Sequence, residues 1–214
     1  MQVPYIPTSL PLANQVPALL DANGVPFAPI AHANWQHQYP YVPRAEFRIA
    51  QCAEGLLLHY RVWEQTVRAH YAQDNGDVWT DSCVEFFCIP DAADGIYYNL
   101  ECNCVGTLLL GSGQQKAGRV RAPQQILDTI GRWSSLGRTG FEERPATEPW
   151  EVALVVPLQA FFQHRLTTLR GAHVRANFYK CGDALSQPHF LSWAPISLPK
   201  PNFHCPEFFG ELEF

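Results

Sequence analysis

Charge is scarce in this chain. Of its 214 residues, 15 are Lys or Arg and 20 are Asp or Glu, 16% together, where an average soluble domain has about 25%. The basic residues are scattered, with Lys116, Arg119 and Arg121 as the densest set, and the formal net charge is -5. A nucleic-acid interface needs clustered Lys and Arg, so no nucleic-acid partner is expected. Long apolar runs are missing as well. No window approaches the ~18 apolar residues of a membrane span, so no membrane partner is expected. The GxSxG elbow, the P-loop and a strand-turn-helix GxGxxG unit are absent. The eight histidines form no HxH or HExxH pattern, and Met1 is the single methionine. Haem ligation needs an axial His or Met, and none is clearly placed.

Disulfide and zinc signatures are lacking too. The seven cysteines (Cys52, Cys83, Cys88, Cys102, Cys104, Cys181 and Cys205) are odd in number and contain no CxxC. They read as buried reduced thiols, which suits a reducing compartment. The opening MQVPYIPTSLPLANQV has no basic segment and its apolar residues are broken by prolines. It does not read as a signal peptide, and a cytoplasmic setting is expected. Asp74, Asp77 and Asp81 depart from EF-hand spacing and read as a solvated acidic loop. No internal repeat or low-complexity segment is present.

What the chain does have is 47% hydrophobic and 13% aromatic residues, enough for a sizeable core in one domain. Residues 1–30 are Pro-rich and read as an extension wrapping that domain, with a short helix near Asn14–Asn23 that Gly24 ends. Residues 31–214 read as the domain itself. Short strands are expected at Ala45–Ala50, Leu56–Trp63, Val67–Tyr71, Gly106–Leu110, Trp150–Val156, His173–Cys181, Phe190–Trp193 and Phe209–Phe214. Helical turns are expected at Gln124–Ile130 and Leu158–His164. Short strands separated by turns, with only brief helices, predict an all-β antiparallel β-sandwich.

The most informative stretch is Val78–Asn103. A tryptophan-bearing loop leads into two strands joined by a Pro/Asp/Gly turn. Successive strand residues point to opposite faces. Val84, Phe86 and Cys88 therefore share a face with Tyr98, Leu100, Cys102 and Cys104. The opposite face collects Glu85, Asn99, Glu101 and Asn103, with Trp79 at its edge. Such a polar cluster beside an aromatic ring suits a sugar. On the His173–Cys181 strand, Arg175, Asn177 and Tyr179 share one face.

Each of these residues has alternatives. Trp79 either stacks on a sugar or packs the sandwich rim, where Asp81 closes an Asx-turn. Glu85 and Glu101 accept hydrogen bonds from sugar hydroxyls, form a glycosidase acid/base or nucleophile pair, or pair with Arg61 or Arg175 on a solvated face. Phe203, in the Pro-bracketed Pro201–Pro206 segment, either faces a ligand or plugs the core. A protein-interaction scaffold with a decayed sugar site is the remaining reading.

The run Trp79-Thr80-Asp81-Ser82-Cys83-Val84-Glu85-Phe86-Phe87 resembles the W-x-D-S-x-E-x-F region of family 9 carbohydrate-binding modules, and a branch carrying DSCVEFF most of all. Other features follow in the same order: Leu56–Glu64 with Arg68, Tyr97–Asn103 with Gly106, Trp150-Glu151-Val152 with Pro157, Arg175-Ala176-Asn177, Ser192-Trp193 and Pro206–Gly210. The resemblance covers residues 31–214. It implies a DOMON-like β-sandwich that binds a mono- or oligosaccharide noncatalytically, with the sugar between two aromatic rings. By position, Trp79 and Phe203 correspond to the rings, with Asn202 beside Phe203. Glu85, Glu101, Asn103, Arg175 and Asn177 are the expected polar contacts. Glu101 stands where some members place an arginine, and one extra residue separates Asp81-Ser82 from Glu85. No cofactor is expected beyond the structural Ca²⁺ that family modules can hold.

Overall fold

The computed structural model describes residues 1–214. Fourteen strands appear in chain order: β1 (Ala28–Pro29), β2 (Arg44–Cys52), β3 (Gly55–Trp63), β4 (Thr66–Ala69), β5 (Cys83–Ile89), β6 (Tyr97–Asn103), β7 (Leu108–Gly113), β8 (Val120–Arg121), β9 (Gly131–Ser134), β10 (Phe141–Pro145), β11 (Trp150–Pro157), β12 (His173–Cys181), β13 (Phe190–Ser192) and β14 (Gly210–Glu213). The two α-helices are α1 (Val16–Ala22) and α2 (Gln124–Leu127).

Two main antiparallel sheets face each other. One runs β1-β2-β3-β11-β9; the other runs β13-β12-β5-β6-β7-β8, with β14 pairing beside β13 on β12. A small β10-β4 sheet lies apart from both. The arrangement is the expected β-sandwich. Its core forms because period-2 alternation sends Phe47, Leu58 and Tyr60 from one sheet to meet Val84, Phe86 and Phe178 from the other. Phe47 stacks on Phe178 at 3.6 Å between centroids. The Tyr60 hydroxyl donates to the Glu85 carbonyl at 3.1 Å, tying the sheets together.

The outer faces are not left bare. Gln2 bridges Glu213 of β14 at the edge of the second sheet, and from Tyr5, which bridges Gln51 of β2, the N-terminal segment runs along the first sheet. Val16 and Leu20 of α1 pack there against Ala50, Leu57, Ala153 and Val155. Helix α1 has Pro17 in its first turn and ends at Asn23, before Gly24 at φ 63°, the left-handed position that glycine takes readily. The outer face of the β5–β6–β12 sheet carries a second apolar cluster. Trp35, Ile196, Phe203 and Phe209, from segments outside the sheet, cover Phe87, Tyr97 and Tyr179. This cover narrows the exposed part of the sheet face to a single region.

Three local expectations change. The helix expected at Leu158–His164 is only a 3-10 turn over Leu158–Ala160, because Phe161 leaves helical geometry at φ -79°, ψ 61°. Asp81 is not in a solvated loop or an Asx-turn. It is fully buried and accepts hydrogen bonds from the His70 and Tyr71 backbone N–H groups and from the Asn103 amide. Asp74 is ion-paired with Arg132 at 2.7 Å and also accepts the Leu108 N–H. Ca²⁺ takes about six to eight oxygen ligands, and carboxylates already facing N–H donors and arginines do not fit it. No helix is long and apolar enough to cross a membrane.

Candidate functional site

The exposed region of the β5–β6–β12 face opens into a cleft of about 670 Å³, within the range of small-ligand sites. Antiparallel register builds its floor. Glu85 on β5 lies directly opposite Glu101 on β6 and Tyr179 on β12. Phe87 and Asn99 are the next opposed pair on that face. Aromatic rings and loop residues form the walls: Tyr39, Trp79, Phe190, Asn202, Phe203 and His204. Trp79 sits in a 3-10 turn, Val78–Thr80, immediately before β5. Phe203 is held face to face on Tyr179, with centroids 4.1 Å apart and planes at 6°, and Phe190 meets it edge-on at 6.2 Å.

The polar floor is pre-organised. The Asn99 amide donates to Glu101 Oε1 at 2.8 Å, and Asn99 Oδ1 accepts from Arg119 Nε at 2.8 Å. Arg119 also donates to the carbonyls of Tyr97, Gly113 and Gln115 and stacks over the Tyr97 ring at 3.9 Å. Its guanidinium is thereby fixed by the strand it crosses. Cys181 Sγ donates to Glu85 Oε1 at 3.0 Å. Glu101 Oε2 is buried and has no partner within the protein.

Burial governs the charges here. Desolvation and the neighbouring Glu101 push Glu85 well above the usual carboxylate range. Desolvation raises Glu101 to about 7, against the lowering effect of Asn99 and Arg121. Asp183 keeps solvent contact at the cleft edge, yet desolvation by the surrounding walls raises it to about 6. His204 is pushed down to about 3 by burial and then by Arg119, Lys116 and Arg121. It is neutral at pH 7, with Nδ1 paired to the Tyr97 hydroxyl at 2.9 Å. The floor thus presents carboxyl groups whose protonated forms burial favours, an amide and a neutral imidazole. These are groups that both donate and accept hydrogen bonds.

The structure brings together Trp79, Glu85, Glu101, Asn202 and Phe203 of the residues singled out in the sequence. It places Asn103, Arg175 and Asn177 outside the cleft lining. Asn103 donates to the Tyr71 carbonyl and Asp81 and accepts from the Thr107 N–H, pinning the β6–β7 turn. Asn177 Oδ1 accepts the Phe178 and Ala194 N–H groups, so it fastens the loop that covers it. Arg175 donates to the carbonyls of Pro206 and Glu207. Glu85 and Glu101 form no ion pair with Arg61, which binds Glu151 instead, nor with Arg175. Sequence reasoning did not single out Tyr39, Asp183, Phe190, Lys200 and the basic set Lys116, Arg119 and Arg121 as lining residues. The density of that basic set was the one signal available.

A metal-capable group lies in the floor. Cys83 Sγ, a Glu85 oxygen and Cys181 Sγ fall within 4.8 Å of one another. Thiolates suit soft cations, but burial raises the Cys83 thiol to about 12, so loading would have to displace tightly held protons.

Comparison with known proteins agrees with the fold. A carbohydrate-binding family 9 model matches residues 14–214. A Bacteroides uniformis ATCC 8492 protein of inferred carbohydrate-binding role is 49% identical, with TM-score 0.96 over 100% of this chain and 98% of that one. A family 9 module from Caldicellulosiruptor kristjanssonii, solved with glucose, shares 13% identity and TM-score 0.64 over 100% of this chain and 94% of its own. The structure with cellotriose gives 12% and 0.60, over 100% and 93%. At that identity the likeness concerns the fold alone. No curated protein matches the sequence. With the family model covering nearly all of the sandwich, this chain belongs to carbohydrate-binding family 9.

Proposed function

We propose that the cleft binds a mono- or oligosaccharide without cleaving it. The observation that carries this reading is Glu101 Oε2, a buried carboxyl oxygen without a protein partner, at the floor of a cleft walled by aromatic rings. A buried polar atom left unpaired is costly, and a sugar hydroxyl in the cleft supplies what it lacks. Trp79 offers an apolar face to the C–H face of a pyranose, and Phe203, largely buried against Tyr179, lends its remaining exposed edge, while Glu85, Asn99 and Glu101 take hydroxyls. Each such hydrogen bond contributes about 0.5–1.5 kcal/mol net, so affinity is expected to be weak and to depend on the rings. The Caldicellulosiruptor modules solved with glucose and cellotriose support a sugar ligand for this fold.

The placement of the two carboxyl groups favours binding over hydrolysis. A retaining glycosidase needs one protonated and one ionised carboxyl. It also sets them on two sides of the bond it cleaves, whereas Glu85 and Glu101 stand directly opposite each other on one sheet face and meet the same side of a bound sugar. Absence of turnover of nitrophenyl glycosides is expected, and turnover lost in Glu85→Gln would revive the hydrolase reading.

The direct test is calorimetric titration with glucose, galactose and cellobiose. Trp79→Ala is expected to weaken the best ligand by about tenfold or more, the order of one lost aromatic contact. Unchanged affinity would contradict the aromatic wall. A subtler variant probes the floor. A Cβ at Gly111 would stand 2.6 Å from Asn99 Oδ1, and Asn99 cannot yield without releasing Arg119 and Glu101. Gly111→Ala is therefore expected to cost several-fold in sugar affinity while the protein stays folded. Wild-type affinity in this variant would show that Asn99 does not set the floor.

A further inference from the structure

We propose that the sugar taken by this cleft carries an anionic group, a carboxylate or a phosphate, held at the rim by Lys116, Arg121 and Lys200. The inference rests on the carbohydrate-binding reading above and narrows its ligand class.

The chain has three lysines in all, within a sequence of net charge -5. Lys180 is fully buried. The other two, Lys116 and Lys200, both line this cleft, and Arg121 lines it with them. They arrive from separate places: Lys116 from the turn between β7 and β8, Arg121 from β8, and Lys200 from the segment before Phe203. All three are exposed. None forms an ion pair or a side-chain hydrogen bond within the protein; the ion pairs of this chain involve other arginines, Lys180 and histidines. Elsewhere Arg44, Arg48, Arg61, Arg68 and Arg132 each meet a carboxylate. A protein poor in cations has placed three unpaired ones around one opening.

The carboxyl groups nearby do not cancel them. Glu85 and Glu101 lie buried in the floor, and burial favours their protonated forms. Asp183 at the edge is the remaining acid among the lining residues. The cationic field reaches into the cleft: Lys116, Arg119 and Arg121 all help keep His204 neutral. Arg119 is committed to Asn99 and three backbone carbonyls, which leaves Lys116, Arg121 and Lys200 free to meet a ligand. A neutral sugar has no use for three free cations. An acidic sugar places its hydroxyls on the amide–carboxyl floor and its charge at the rim.

Calorimetry with matched ligands decides the matter: glucuronate against glucose, galacturonate against galactose, and glucose 6-phosphate as a second anion source. The acidic form of at least one pair is expected to bind about tenfold tighter at low salt, with that preference shrinking several-fold at 0.5 M NaCl, as screened charge contacts do. Tighter uronate binding assigns the anion as a carboxylate, and tighter sugar-phosphate binding assigns it as a phosphate; either supports the inference. In the triple variant Lys116→Gln/Arg121→Gln/Lys200→Gln, the ratio of acidic to neutral affinity is expected to fall towards one, with the melting temperature checked for folding. Neutral sugars binding as tightly as their acidic partners, glucosamine binding tighter than glucose, or a ratio unmoved in the variant would overturn the anionic ligand and leave carbohydrate binding intact. No binding of any of these sugars would overturn both.

Discussion

Lys180→Met is expected to destabilise the fold by about 3–5 kcal/mol, the usual cost of leaving a buried charge without its partner. The Lys180 ammonium lies fully buried between the sheets, 2.9 Å from Glu64 Oε2, whose side chain is equally inaccessible. It also donates to the Cys181 carbonyl and to His189 Nε2, both at 2.7 Å. Burial and the adjacent ammonium push His189 down to about 2, so its ring is neutral. Nδ1–H donates to the Gln187 carbonyl and Nε2 is left to accept from Lys180. The Trp150 indole N–H donates to the other Glu64 oxygen at 2.7 Å. Removing the ammonium strands the carboxylate and unpairs the imidazole. Urea unfolding measures the loss. The double variant Lys180→Met/Glu64→Gln is expected to recover much of it, since the isolated charge is then gone. A single variant within about 1 kcal/mol of wild type would mean that water reaches Glu64.

The second large effect is a dependence on pH opposite to that of most carboxylates. Burial raises Glu85 and Glu101 in the native state, so the folded protein holds these protons more tightly than the unfolded chain does. Stability from them is complete below the ordinary carboxylate range and is lost as pH rises through the folded values, about 7 for Glu101 and well above the ordinary carboxylate range for Glu85. Each proton held only by the native state lowers stability by about 1.4 kcal/mol per pH unit. His59, His189 and His204 act in the other direction, being held down to about 4, 2 and 3 by burial. They stabilise as pH rises towards their ordinary value of about 6.5 and contribute no slope well above it. The histidines are therefore nearly silent between pH 7 and 8.5, where buried thiols such as Cys83, raised to about 12, add a fall of their own, so the carboxyl effect is read as the difference between wild type and a Glu85 variant. Melting temperatures are expected to fall across that window in the wild type and to fall less in Glu85→Gln, whose amide keeps the acceptor for Cys181. Parallel curves for the two proteins would show that Glu85 is ionised in the native state.

Much of this site could be read from alternation. Val84, Phe86 and Cys88 opposite Glu85 and Phe87 fixed the two faces of β5, and the same rule placed Asn99 and Glu101 on the cleft side of β6. Register then needed only the short Pro/Asp/Gly turn. Alternation tells which side of a sheet a residue faces, however, and not which loop covers it. Asn177 and Asn103 face the same side as Glu85, yet the Ala194 segment and the Asp81–Tyr71 turn enclose them. The rim cations come from loops, where no periodicity positions a side chain. Lys180 was legible in principle. It follows Val174, Ala176 and Phe178 at two-residue steps, a lysine on the core face, which requires a buried acid. That acid, Glu64, comes from the end of a distant strand, and only the three-dimensional register shows the pairing.

The cleft over β5 and β6 is proposed above as the sugar-binding surface. An amide chemical-shift titration with the tightest sugar from the calorimetric series tests it most directly. The account predicts saturable shifts concentrated at Trp79, Asn99, Glu101, Lys116 and His204, with the outer face of the β2–β3–β11 sheet unmoved. Shifts centred on that opposite face, or none at a sugar concentration that saturates the calorimetric signal, would contradict it.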